Sequence, residues 1–143
     1  MSVNIAMKTN LRYKPNGQRR RAAAVVEFAV CLPLLMLIVL GAIEATHAIF
    51  LKQALSAAAY EGMRVAIEPR STQAEATEHA NSILKSRLVN GSKLVFNPSN
   101  FDEVERGQKV SLVVSAPISA NSPFIGRVIP DRVVSVRTVM VKE

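Results

Sequence analysis

Two glutamates stand out in this 143-residue sequence, because they bracket a stretch in which charge is otherwise missing. From Phe28 to Ile43 sixteen consecutive residues carry no charge, and no Lys or Arg occurs between Ala22 and Leu51. An unpaired carboxylate in a low-dielectric setting is costly, so an acid at the edge of such a stretch needs a partner. Glu27, followed at once by Phe28, is the stronger of the two. In an assembly of helices, the partner type on offer is the free α-amine of a neighbouring chain cut just before its own helix.

The other reactive side chains point to bland roles. Cys31 lies inside the apolar run and reads as a small hydrophobe. His47 follows Glu44 by three residues, which puts both on one helix face as a local ion pair or polar cluster. No third ligand is in view for a metal there. His79 sits among polar neighbours, and Asp102 and Glu103 share a turn with Glu105. No G-x-S-x-G, H-E-x-x-H, Walker-type or G-x-G-x-x-G pattern occurs. A single cysteine excludes a disulfide framework and a multi-cysteine zinc site. The expectation is a protein that is not an enzyme, with no cofactor, no metal and no catalytic residue.

The elements that carry Glu27 follow from the distribution of charge and apolar residues. Residues 1–21 hold Lys8, Arg12, Lys14, Arg19, Arg20 and Arg21 and no acid, while the rest of the chain holds 12 basic and 11 acidic residues. The basic character therefore belongs to one short tail. A nucleic-acid binder spreads its cations over a folded face and adds aromatics for stacking, so no nucleic-acid partner is expected. The apolar stretch, counted from Ala22 to Leu51, is long enough as a helix to cross a hydrocarbon core of roughly 30 Å. A core helix of this kind would need a larger shell than the remaining residues provide. The partner of this helix is membrane lipid. The cationic tail keeps residues 1–21 in the cytoplasm and exports the C-terminal part. A cleaved secretory signal is the rival reading, but the apolar run is long for one and only Thr46-His47-Ala48 offers a loose cleavage site.

Beyond the span, Leu51, Ala54, Leu55, Ala58, Gly62, Val65 and Ala66 fall at helical spacing. Their small side chains allow close packing, and Ala54, Ala58 and Gly62 are the candidate surface for a partner helix. Glu68-Pro69 ends the helix. Thr72-Gln73-Ala74-Glu75 has the capping-box pattern, Ala76, Ala80, Ile83, Leu84 and Leu88 supply an apolar stripe, and Asn90-Gly91 supplies a stop. Lys93–Phe96, Val110–Ala116 and Val133–Val141 read as strands separated by turn material. The expected fold is α+β: a long N-terminal transmembrane helix, a second helix, and a small antiparallel sheet of three or four strands packed on it. The expected boundaries are a basic cytoplasmic leader 1–22, a membrane and extended helix 23–67, and an exported domain 68–143. Pro33 falls inside the span, where a kink is expected.

Basic residues, then small residues, then Glu-Phe, then an apolar helix resembles the leader of type IV pilins and pseudopilins. The chain is most similar to TadE-like proteins, the minor pseudopilins of the tight-adherence (Flp) pilus system. The similarity rests on Glu27-Phe28, Leu32-Pro33-Leu34-Leu35, Gly41 with Glu44, Gln53-Ala54-Leu55, and Glu61-Gly62-x-Arg64. Residues 19–67 carry it well; beyond them only the small αβ character and Pro123-Phe124-Ile125-Gly126 add to it. The resemblance implies a pilin-like fold and a leader cut by a prepilin peptidase between Ala22 and Ala23, making Glu27 fifth in the mature chain. Family leaders usually have Gly before the cut; this chain has Ala22.

The resemblance further implies pilin and pseudopilin subunits and a pilus assembly platform as partners, in building an adhesive filament at the inner membrane. The chain is too long for the very short major pilin of such a system, which favours a minor role. The alternative is an unprocessed single-pass protein, a periplasmic or cell-surface adaptor unrelated to pili.

Overall fold

The computed structural model of the chain describes residues 17–99, 103–122 and 132–142. The tail before residue 17, Asp102, and the Pro123–Gly126 stretch lie outside the described residues. Five elements follow in order: α1 (Gly17–Ile67), α2 (Gln73–Ser86), β1 (Lys93–Asn97), β2 (Lys109–Pro117) and β3 (Val133–Val141). This is an α+β fold, with three strands among the described residues where three or four were expected. The chain divides into two units, residues up to Val39 and Leu40–Glu143.

The first unit is the start of α1. Its large apolar side chains face outward: Val25, Phe28, Val30, Leu34 and Leu37 are between 59% and 74% exposed. Exposure on all sides removes the reading of a buried core helix. An all-round apolar helix with no protein covering it has lipid as its natural solvent, and this is the anchor of a single-pass membrane protein. The helix begins at Gly17, ahead of the expected start at Ala23.

The second unit starts within α1 rather than after it and reaches back to Leu40. Leu51, Ala54, Leu55, Ala58, Ala59, Met63 and Ala66 are all buried. Leu51, Ala54, Leu55, Ala58 and Ala66 belong to the stripe that helical spacing marks, Ala59 and Met63 do not, and together they form one wall of the core. Against it lies α2, with Ala76, Ala80 and Leu84 buried.

The two helices run antiparallel. Gly62 meets Ala76 and Ala80, whereas the far end of α2, Ser86 to Asn90, shares a cleft with Thr46, His47, Phe50 and Leu51. The link between them is tight: Pro69 stops α1, Arg70 takes a positive φ of 71°, and the Ser71 hydroxyl donates to the carbonyls of Ala66 and Glu68.

The ends of α2 are closed by side-chain and backbone bonds. Thr72 Oγ1 accepts from the Glu75 amide at 3.3 Å, and Glu75 Oε2 accepts from the Thr72 amide at 3.0 Å, completing the capping box. The C-terminal stop lies before Asn90-Gly91. Val89 N–H donates to the Leu84 carbonyl and Leu88 N–H to the Lys85 carbonyl, the two bonds of a Schellman motif with Leu88 in the position where glycine is usual. Leu88 has φ 57°. This turn removes Leu88 from the apolar stripe and leaves it 83% exposed, while Leu84 is buried and Ile83 and Val89 pack against the core at that end.

The sheet has the order β1-β2-β3, antiparallel throughout. In the central strand Val110, Leu112, Val114 and Ala116 point inward and are buried. Their cross-strand partners Phe96, Leu94, Val136 and Met140 join the same core. The period of two thus lays one face of the sheet on both helices, not on α2 alone. On the opposite face Val95, Val133 and Val139 are more than half exposed, and Arg137 Nη2 donates to Ser111 Oγ at 3.3 Å.

Candidate assembly interface

Ala22, Ala23, Glu27 and Phe28 all lie on α1 in the first unit and are exposed. Ala23 and Glu27 are four residues apart, so one helical turn stacks them on the same face, about 6 Å along the axis. Phe28 is 59% exposed beside them. A cut between Ala22 and Ala23 would leave an α-amine at the new end of this helix and a carboxylate one turn further on.

The small-residue face is occupied from within the chain. Ala54 and Ala58 have no exposed surface. A methyl placed on Gly62 would stand 2.9 Å from Ala80 Cβ, 3.2 Å from Leu112 Cδ2 and 3.4 Å from the Ala76 carbonyl oxygen. The close packing that this spacing promised is real, but the partners are the chain's own α2 and β2. There is no room for the backbone of another subunit at that place. Next to it Glu61 and Arg64 form an exposed i,i+3 ion pair at 3.5 Å, which contributes little by itself.

The carboxylate that the fold uses most is Glu44. It is only 7% exposed, and Ser122 Oγ donates to its Oε2 at 2.7 Å across 78 positions of sequence. A buried acid is tolerable where hydrogen bonds compensate its lost hydration. Ser122 is held in place by its neighbour. Asn121 accepts from the Asn90 amide at 2.8 Å and donates to the Asn90 carbonyl at 2.9 Å and the Pro117 carbonyl at 2.8 Å. The segment after β2 therefore fastens α1 at Glu44 and the α2–β1 link at Asn90. A small cavity of about 140 Å³ sits at this clamp, lined by Glu44, His47, Ala48, Leu51, Ile118, Asn121, Ser122 and Arg132. His47 shares the Glu44 face, as the spacing required. The sequence signal for Glu44 was its place in an apolar run; its partner had none.

Among the described residues no three His, Cys, Asp or Glu side chains come together as metal ligands would. Cys31 is exposed on the span, a free thiol. An apolar helical rod carrying a carboxylate is continued by a stripe that forms one wall of a small αβ core.

Such a rod should carry its own sequence signature, and it does. Residues 22–64 match the TadE-like protein family. The match spans less than a third of the chain. Within the TadE-like segment fall Glu27, Phe28, Glu44, Ala54, Ala58 and Gly62, and also the Glu61–Arg64 pair. The segment ends three residues before α1 does, so α2 and the sheet lie beyond it. The Ser122–Glu44 bond joins the TadE-like segment to the part outside it. No curated protein and no solved structure matches the chain.

Proposed function

We propose that the protein is a minor pseudopilin, an assembly component of a tight-adherence (Flp) type IV pilus, held in the inner membrane with its N-terminus in the cytoplasm. The observation that carries this reading is the division of labour along α1. Its first part is apolar, uncovered and marked by Glu27-Phe28, and its second part is the core wall of a small αβ domain. A helix that is anchor at one end and core at the other is what a subunit needs if it leaves or spans a bilayer by helix packing. The match to TadE-like proteins over residues 22–64 supports the same reading.

The protein acts by association rather than catalysis. Glu27 of one subunit pairs with the α-amine of Ala23 in the next, fixing their axial register, once a prepilin peptidase has cut after Ala22. The amine has a reference pKa near 8 and is cationic at neutral pH; pairing in low dielectric offsets part of both desolvation costs. Partners on this reading are other pilin and pseudopilin subunits and the assembly platform. Conventional signal cleavage after Ala48 fits poorly, since it would separate Glu44 from the core residues Leu51 and Leu55 that follow it on α1.

The test combines N-terminal sequencing of the native protein with pilus output from Glu27→Gln. Cutting before Ala23 and loss of assembly with normal membrane insertion are the expected results. A native N-terminus at Met1 or Ser2 together with wild-type pilus output from Glu27→Gln overturns the proposal and leaves a membrane-anchored adaptor unrelated to pili.

A further inference from the structure

We propose that the turn after α2 is a second membrane contact, with Leu88 inserted at the lipid headgroup boundary beside the end of the span. The inference rests on reading α1 as a membrane helix, and it concerns only the Leu40–Glu143 unit.

Three observations converge on this turn. Leu88 is 83% exposed and adopts φ 57°, a backbone position that favours glycine. A left-handed backbone costs a leucine energy that so little burial does not return. Second, the antiparallel path of α2 returns this turn to the membrane end of the unit, where it faces Thr46, His47 and Phe50 across a cleft of about 690 Å³. On α1, Phe50 is seven residues past Ile43, a rise of about 10 Å. Thr46, His47 and Phe50 all fall within the apolar stretch that runs to Leu51, so the cleft opens at the outer end of that stretch. Third, the apolar surface extends along α1 within the same unit. Leu40, Ile43, Ile49 and Phe50 are each at least 38% exposed along α1, and Leu88 extends that surface onto a second element.

Charge selects the occupant. Lys85 and Arg87 flank Leu88 and are exposed, an arrangement that suits anionic phospholipid headgroups above an inserted leucine. A single bilayer surface satisfies the apolar tip, the flanking cations and the height at once. His47 and Phe50 add an amphipathic pair at the same level, of the kind that sits at membrane interfaces.

The experiment uses the full chain with Cys31 replaced by Ala, reconstituted into phosphatidylcholine vesicles with and without phosphatidylglycerol. Single cysteines at Leu37, Leu88 and Ala74 carry an environment-sensitive dye, and lipids brominated near the headgroup end of the acyl chain act as quencher. Ala74 is exposed at the opposite end of α2. The expected result is loss of fluorescence at Leu37 and Leu88, none at Ala74, and a larger loss at Leu88 when phosphatidylglycerol is present. Quenching at Leu37 without quenching at Leu88 overturns the membrane contact and leaves the span intact. No quenching at Leu37 overturns the span and the contact together. Lys85→Glu with Arg87→Glu should weaken quenching at Leu88 alone; equal quenching in the charge-reversed chain overturns the role given to the cations.

Discussion

The hydroxyl of Ser122 and the carboxylate of Glu44 are joined by a 2.7 Å hydrogen bond that ties the segment after β2 to α1. Hydrogen bonds to charged groups are among the more stabilising kind, worth about 1.5–3 kcal/mol. Ser122→Ala should therefore cost about 1–3 kcal/mol in unfolding experiments on the purified chain, and limited proteolysis should cut sooner after β2. A variant with wild-type stability and an uncut loop would mean that Asn121 alone holds the segment.

Gly62→Leu tests whether the small-residue face is a fold contact or a subunit contact. The nearest neighbour of a new side chain is Ala80 Cβ at 2.9 Å, which cannot swing aside as the end of a long side chain does. Overpacking a filled core typically costs about 1–3 kcal/mol. Thermal unfolding in detergent should fall accordingly, before any partner is added. Loss of assembly with unchanged monomer stability would restore the face to a partner subunit.

Leu88→Gly should act in the opposite direction. A left-handed conformation costs a leucine about 1–2 kcal/mol that glycine does not pay, against roughly 0.5–1 kcal/mol of extra chain entropy lost by glycine. Almost no burial is given up at an exposed site. The variant should melt slightly higher in detergent while losing its contact with anionic vesicles. A lower melting temperature would show that the leucine packs on something in the folded domain.

Orientation is tested by fusions. A reporter that needs the periplasm should be active when joined after Glu143 and silent when joined near Met7, because six cations precede the span and the charges just after it balance. The reverse pair of results places the αβ domain in the cytoplasm and removes the pilus reading.

What was legible in the sequence followed the range of the forces involved. Strand limits were close, since Val110, Leu112 and Val114 alternate and turn residues bracket them. The start of α2 was legible because Thr72 and Glu75 cap it locally. Its end was misread: Leu88 continues the apolar spacing, and only the backbone bonds to Leu84 and Lys85 show that the helix has already stopped. The small-residue stripe was legible from its spacing, which reveals that something packs at Gly62 and not that Ala80 and Leu112 lie there. Glu44 was visible as an acid in an apolar run, whereas Ser122 is an ordinary serine until the fold brings it 78 positions back. Nothing local marks where α1 changes from anchor to core wall.

The hairpin of α1 and α2 also fixes a turning point within the Leu40–Glu143 unit. From Leu51 to Ile67 α1 rises about 24 Å, and the link Glu68–Ser71 then reverses the chain at an exposed, tightly bonded corner. Arg70 at that corner is the natural place for a peptide tag that antibodies must reach. A tag there would replace no buried residue, and its accessibility on intact and permeabilised cells would report on which side of the membrane this unit stands.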